Sequence, residues 1–180
     1  MSANRLSESF FRYDVLHVAP LLLGKHIVIT HGNVPEKYII NEVEAYRGEE
    51  DLACHASKGR TKRNEIMYAS GGHVYVYLIY GMYWMLNFVT GEIDNPQAVL
   101  IRGVEGYDGP GKLTGKMGID GSFYGENLFL SRRIWIEDNN VTGSITSYPR
   151  IGIDYAGEFW KNRPWRFVLD TKSQTRKVKP

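Results

Sequence analysis

The stretch from Tyr75 to Val89 reads Tyr-Val-Tyr-Leu-Ile-Tyr-Gly-Met-Tyr-Trp-Met-Leu-Asn-Phe-Val, two runs of aromatic and branched residues with only Gly81-Met82 between them. Runs of this kind favour a pleated, half-buried surface over a helix. Joined by so short a link, they predict a β-hairpin, because glycine at the first central position suits a type II′ turn. The tip then carries Tyr80, Met82 and Tyr83, where small polar residues are usual. Two uses of such a tip stay open: packing into the core or a protein interface, or acting as an apolar wedge that enters the minor groove of DNA and fills the gap left by an extruded base. Asn87 is polar within an apolar strand and calls for a backbone partner or a ligand.

The rest of the chain organises around strands in the same way. Asp14 can cap a short helix over residues 15–23, with Pro20 kinking or splitting it and Gly24 at its end. Residues 25–30 and 37–46 read as paired strands around His31-Gly32-Asn33. Further strands are expected at 73–80, 83–89, 98–105, 134–137 and 166–170, and a second short helix at 111–117 between Pro110 and Gly118. Strands outnumber helices and follow one another directly, which predicts an α+β domain with a mainly antiparallel, curved sheet, short flanking helices and a protruding hairpin. No repeat or linker divides the 180 residues, so a single domain over 1–180 is expected, with a short flexible N-terminus to about residue 8 and a basic tail over 171–180.

Composition excludes several classes. A single cysteine, Cys54, rules out an internal disulfide and a cysteine-rich zinc site. Cys54 and His55 are adjacent, so an extended backbone points them to opposite faces and no thiolate dyad forms. His17, His26, His31, His55 and His73 show no close ligand spacing, and no metal or cofactor is expected. No segment approaches the roughly 20 apolar residues of a membrane span or the core of a signal peptide, which predicts a soluble cytoplasmic protein. A net charge of +2 is too small to announce nucleic-acid binding, so a basic footprint must be local. Arg60, Lys62 and Arg63 form one cluster, Arg132 and Arg133 a second, and Lys161, Arg163 and Arg166 a third. Gly106 to Lys112 resembles the start of a phosphate-binding loop, but Leu113 stands where a hydroxyl must reach magnesium and Pro110 lacks an N–H, which excludes an NTPase.

In Asn41-Glu42-Val43-Glu44-Ala45-Tyr46 the period of two puts Glu42, Glu44 and Tyr46 on one face and Val43 and Ala45 on the other. A solvated strand face is one reading; a base beside a stacking platform is the other. Paired carboxylates also occur in glycoside hydrolases, but there they flank the scissile bond, which neighbours on one strand face cannot do.

Taken in order, Glu44-Ala45-Tyr46, Ala53-Cys54-His55, Arg60-Thr61-Lys62-Arg63-Asn64, Tyr75-Val76-Tyr77, Asn87, residues 98–102, 109–113 and Pro149-Arg150-Ile151-Gly152-Ile153 resemble the alkyladenine (3-methyladenine) DNA glycosylase family. The resemblance runs from Phe11 to Phe167. It implies a monofunctional enzyme of base excision repair that flips alkylated or deaminated purines out of duplex DNA and hydrolyses their bond to the sugar, acting as a monomer and nucleoid-associated in a bacterium. Glu44 would be the general base and Arg102 would help it hold the attacking water. Tyr46, His55 and Tyr77 would line the base pocket, and Asn87 would crowd out the amino group of normal guanine. Tyr80 would be the wedge, supported by Met82 and Tyr83. Arg60, Lys62 and Arg63 would meet the DNA backbone. A damage-binding module without chemistry and a small-molecule glycoside hydrolase are the competing readings.

Overall fold

The computed structural model describes residues 4–32, 34–138, 141 and 143–170. Asn33 of the first expected turn and the basic tail lie outside them. The chain opens with α1 (Glu8–Phe11) and α2 (Val15–Leu22), then β1 (His26–His31) and the long β2 (Val34–Arg47). A connection with two short 3₁₀ turns leads to β3 (Val74–Ile79), β4 (Tyr83–Thr90) and β5 (Gln97–Val104). After β6 (Tyr107–Asp108) come α3 (Pro110–Lys116), β7 (Ile134–Glu137), β8 (Ser144–Tyr148), α4 (Gly157–Lys161) and β9 (Arg166–Asp170).

Among the described residues nine strands make one sheet in the order β3-β4-β5-β2-β1-β7, with β6 beside β5 and the β8–β9 pair beside β2. All of these pairings are antiparallel. Where curvature was expected, the sheet stays open and uncurled, and its main irregularity is the register shift between Ile40 and Val43. At that bulge β2 changes from pairing β1 to pairing β9, which lets one strand serve both parts of the sheet.

Strand alternation divides the sheet into two faces. Val43, Ala45, Val74, Val76, Leu86, Phe88, Val99 and Ile101 turn to one side and pack with Phe11, Val15, Val18 and Leu22 of the first helices and Leu113 and Met117 at α3. The residues between them, Glu44, Tyr46, Tyr75, Tyr77, Met85, Asn87, Leu100 and Arg102, face the other way. The helices therefore close the core on one side and leave the opposite face for a site.

Local detail follows the expected caps, with corrections. Asp14 accepts from the Leu16 N–H at 2.9 Å and caps α2. Pro20 does not split that helix, which runs continuously to Leu22. A proline this near the end removes one backbone hydrogen bond and little more. The tip of the β3–β4 hairpin is centred one residue earlier than a Gly81-Met82 turn would be. Tyr80 and Gly81 both have positive φ, 51° and 70°, and Met82 N–H bonds Ile79 carbonyl at 3.1 Å, the φ pattern of a type I′ rather than a type II′ turn. Of the N-terminal stretch, Arg5 is tied down by hydrogen bonds to the Leu128 and Ser131 carbonyls. Strand β8 and helices α1 and α4 went unread in the sequence; Ser144–Tyr148 is exposed throughout and carries no apolar alternation.

Gly71 shows how tightly the β3 entrance is built, because a Cβ there would meet the carbonyl group of Phe11, which itself accepts the Gly91 N–H at 2.9 Å. Backbone cannot yield as a side chain can. Gly71→Ala is expected to cost about 1–3 kcal/mol through overpacking, measured as a fall of several degrees in the thermal unfolding midpoint; an unchanged midpoint would contradict this close approach.

Candidate active site

The paired register of four strands builds the site as a row. Tyr75 on β3 stands opposite Asn87 on β4, Asn87 opposite Leu100 on β5, and Leu100 opposite Glu44 on β2. Above this row opens a cavity of about 400 Å³, lined among others by Tyr46, His55, Tyr77, Asn87, Arg102 and Tyr155. That is the size of a pocket for a small organic group.

Glu44 lies behind the cavity wall with no exposed surface, so the solvated-face reading of its strand is wrong. It does not itself reach the cavity wall; Tyr46, Arg102 and Ile151, which hold it, do. The Tyr46 hydroxyl donates to one carboxylate oxygen at 2.9 Å and the Ile151 N–H to the other at 2.8 Å. Arg102 Nε stands 3.6 Å from Glu44 Oε1 and donates to Glu42 at 3.3 Å. Burial pushes the Glu44 carboxyl upward in pKa, opposed by the Arg102 charge, the Ile151 and Tyr46 hydrogen bonds and the Arg150 charge. Burial and the surrounding donors thus act on this carboxyl in opposite directions, with burial the larger.

The walls are aromatic. His55, in the 3₁₀ turn His55–Lys58, has its Nδ1 at 2.7 Å from the Tyr75 hydroxyl, and its ring meets that of Tyr77 edge-on at 4.5 Å. Burial, helped by Arg63 and Lys58, lowers the His55 imidazole to about 4, so it is neutral at physiological pH. Burial also raises the phenols of Tyr46, Tyr75 and Tyr77. Asn87 is buried, and its amide donates to the Tyr75 and Met85 carbonyls at 3.1 and 3.3 Å. Cys54, next to His55, is buried and its thiol is pushed up to about 12, which leaves it inert.

Of the tip residues, Tyr80 is 85% exposed, Met82 64% and Tyr83 47%, while Tyr83 rests over Gly111 at the start of α3. Packing of the tip into the core is thereby excluded. Of the expected backbone cluster, Arg60 is half-exposed, pairs at the surface with Asp94 and Glu65 and lies over the Tyr68 ring. Arg63 is exposed, lies over the Tyr77 ring at 5.2 Å and reaches the Leu78 carbonyl. Lys62 is exposed. Among the described residues no group of His, Cys, Asp and Glu could hold a metal ion.

Sequence reasoning missed several members of this site. Tyr75 shares a face with Tyr77 two residues on, a signal that alternation carried. Ile151 acts through its backbone N–H, which no side-chain pattern reveals. Asp51, Arg150 and Tyr155 come from loops brought in by the fold.

A tyrosine- and histidine-walled slot backed by a buried carboxylate, with an exposed apolar tip beside it, suits a planar ring, and comparison with known proteins places the chain among the DNA N-glycosylases of DNA repair. It belongs to the methylpurine-DNA glycosylase family, whose description matches residues 9–108 and 105–173. Relatives provisionally named 3-methyladenine DNA glycosylase are 44% identical in Methanocella arvoryzae, over 90% of this chain and 90% of that protein, and 42% identical in Chlamydia abortus, over 93% and 100%. A third in Legionella pneumophila is 42% identical over 92% of this chain and 94% of its own. No helix among the described residues is long and apolar enough to cross a membrane.

The His55 environment makes a checkable statement about pH. A histidine whose folded pKa is depressed from about 6.5 to about 4 contributes stability that is present above pH 6.5 and is lost as pH falls through 4. Over that window the unfolded chain binds the extra proton. In an NMR titration the His55 ring signals should stay those of neutral imidazole down to about pH 5; a midpoint near 6.5 would show that the ring is not buried against Tyr75 and Tyr77.

Proposed function

We propose that this enzyme flips alkylated or deaminated purines of the 3-methyladenine, 7-methylguanine, hypoxanthine and ethenoadenine class out of duplex DNA, and cleaves them with a water activated by Glu44. The observation that carries this reading is the wholly buried carboxylate, held between the Tyr46 hydroxyl and the Ile151 N–H just behind the wall of a ring-lined slot. The names of the relatives carry one member of that class, 3-methyladenine.

In this reading a water that enters between Tyr46, Arg102 and Ile151 gives a proton to Glu44 behind them, and its oxygen forms a bond to C1′ of the deoxyribose. The C1′–N bond breaks and its electron pair goes to the base. A ring-alkylated purine is cationic and leaves neutral, so it needs no proton; hypoxanthine must gain one as it departs. Arg102, beside Glu44 Oε1, helps hold the water and keeps the carboxylate ionised. Tyr46 and Tyr77 stack on the guest, each base–ring contact contributing about 1–3 kcal/mol. That offsets the few kcal/mol of extrusion. Neutral His55, with Nδ1 engaged by Tyr75, has Nε2 for the edge of the base. Asn87, fixed on backbone carbonyls, is rigid enough to exclude an extra amino group. Tyr80 fills the vacated space in the duplex, with Met82 and Tyr83 beside it, and Arg60, Lys62 and Arg63 meet phosphates. The chain acts as a single-domain monomer in the cytoplasm, on the nucleoid in a bacterium.

Glu44→Gln should lower single-turnover release of hypoxanthine from a duplex by about 10²–10⁴-fold while binding of that duplex survives. Release at the wild-type rate would remove Glu44 from the mechanism, and no release by the wild-type protein would favour a damage-binding module. Tyr80→Ala should weaken lesion binding by about 10- to 100-fold, the loss of one stacking contact. Indifference to Tyr80→Ala together with cleavage of free nucleosides would instead indicate a small-molecule hydrolase.

A further inference from the structure

Behind the slot lies a second buried charged group that the mechanism above does not use. Arg150 and Asp51 form an ion pair with no exposed side-chain surface on either partner, in fork geometry: Nη1 to Oδ2 at 2.5 Å and Nη2 to Oδ1 at 2.9 Å. Asp51 is itself fixed by the Ala53 and Arg47 N–H groups at 3.0 and 3.2 Å. Arg150 Nη1 also donates to the carbonyl of Ala45, the residue between Glu44 and Tyr46, at 3.0 Å. The guanidinium lies between two rings, 4.8 Å from the centre of Tyr46 and 5.0 Å from that of Trp165. Trp165 in turn accepts the Ala45 N–H at 2.9 Å. The residue after Arg150 is Ile151, whose N–H holds Glu44.

One side chain thus grips the backbone beside Glu44, backs the Tyr46 ring, and sets the position of the peptide that donates to the Glu44 carboxylate. A buried ion pair gives little net stability over an apolar filling, because desolvation offsets the attraction. Its retention at this point suits a positional task. We propose that the Asp51–Arg150 pair is the positioning device of the reaction centre: resting on the reading of Glu44 as base, it fixes the Ile151 N–H and the Tyr46 hydroxyl on Glu44 and sets the field in which that carboxylate works. Arg150 is a positioning residue and touches no substrate.

The charge and the geometry make separable predictions. Facing Glu44 are Tyr46 and Glu42 from its own strand, Arg102 from β5, Tyr77 from β3, Arg150 and the Ile151 N–H from the segment after β8, and Tyr155 from the following turn; Arg166 from β9 acts through Glu42. Within this group Arg150 favours the ionised form of Glu44. Arg150→Met removes that charge, whereas Asp51→Asn keeps it and removes the counter-charge.

The test is the pH profile of single-turnover hypoxanthine release from a duplex by the full-length protein. The acid limb should move to higher pH in Arg150→Met and to lower pH in Asp51→Asn, with both rates at their optimum reduced on the order of 10²-fold, as for a misplacement of about 1 Å. Loss of activity in both variants with unmoved limbs, or limbs moved in the same direction, overturns the proposal, because a purely structural pair has no reason to act with opposite signs. Breaking a buried pair is strongly destabilising, so Arg150→Lys is the companion if either variant fails to fold: it keeps the charge and loses the fork. A reduced optimum with the acid limb in place supports the positioning role, and a wild-type optimum overturns it. Glu44→Gln is measured alongside. If it releases base at the wild-type rate, the reading of Glu44 falls and this role with it; if it is inactive while the pair variants keep the wild-type limb, only the positioning role falls.

Discussion

A β-strand turns successive side chains to opposite faces, and β3, β4, β5 and β2 are locked in one register, so every choice on one face fixes its neighbour on the other. Val74 and Val76 enter the core because Tyr75 and Tyr77 face the cavity; Val99 and Ile101 do so because Leu100 and Arg102 do not. The row Tyr75, Asn87, Leu100, Glu44 exists only while all three strand pairings hold. A slip of one residue in any of them would bury the wrong set and send the carboxylate or a tyrosine into the hydrophobic side. Stability of the core and geometry of the site are one constraint here.

On that scaffold the site's polarity is arranged so that no charge in the slot is left alone. Glu44 has a hydrogen bond on each oxygen and Arg102 nearby; Glu42 takes Arg102 on one side and Arg166 on the other. Deeper in, Asp51 and Arg150 neutralise one another. Burial works in the opposite direction on histidine, and His55, with Arg63 and Lys58 near it and the Tyr75 hydroxyl at its Nδ1, stays neutral. One low-dielectric slot thus favours a neutral imidazole on its wall and raises the carboxyl behind it, a rise that specific donors oppose.

The hairpin tip is where the fold departs from its own preferences. Tyr80 takes a left-handed backbone conformation usually left to Gly, Asn or Asp, and exposes nearly its whole ring to water. Both choices cost free energy in the free protein. Such departures gather where a surface is made for a partner, and Tyr83, braced on Gly111, ties the tip to α3, whose first residue Pro110 also lines the cavity. Tip and slot are therefore linked through packed neighbours at the start of α3.

The sequence by itself determined the strands, their alternation and most of the ring-bearing residues of the site, because side-chain period and turn chemistry are local: Glu44 and Tyr46 sharing a face, the hairpin with Tyr80 at its end, and the helix capped by Asp14 are all legible over a few residues. It also carried Tyr75, two places before Tyr77. Only the tertiary structure decided that Glu44 is buried rather than wet, that Arg60 pairs with Asp94 while Arg63 lies against Tyr77, and that the turn centres on Tyr80-Gly81. Only it brought Asp51, Arg150 and the Ile151 N–H to one point, although Asp51 and Arg150 lie 99 positions apart in the chain. Burial, charge pairing and backbone donors depend on what the rest of the chain places alongside, and no local pattern encodes a neighbour that arrives from another strand.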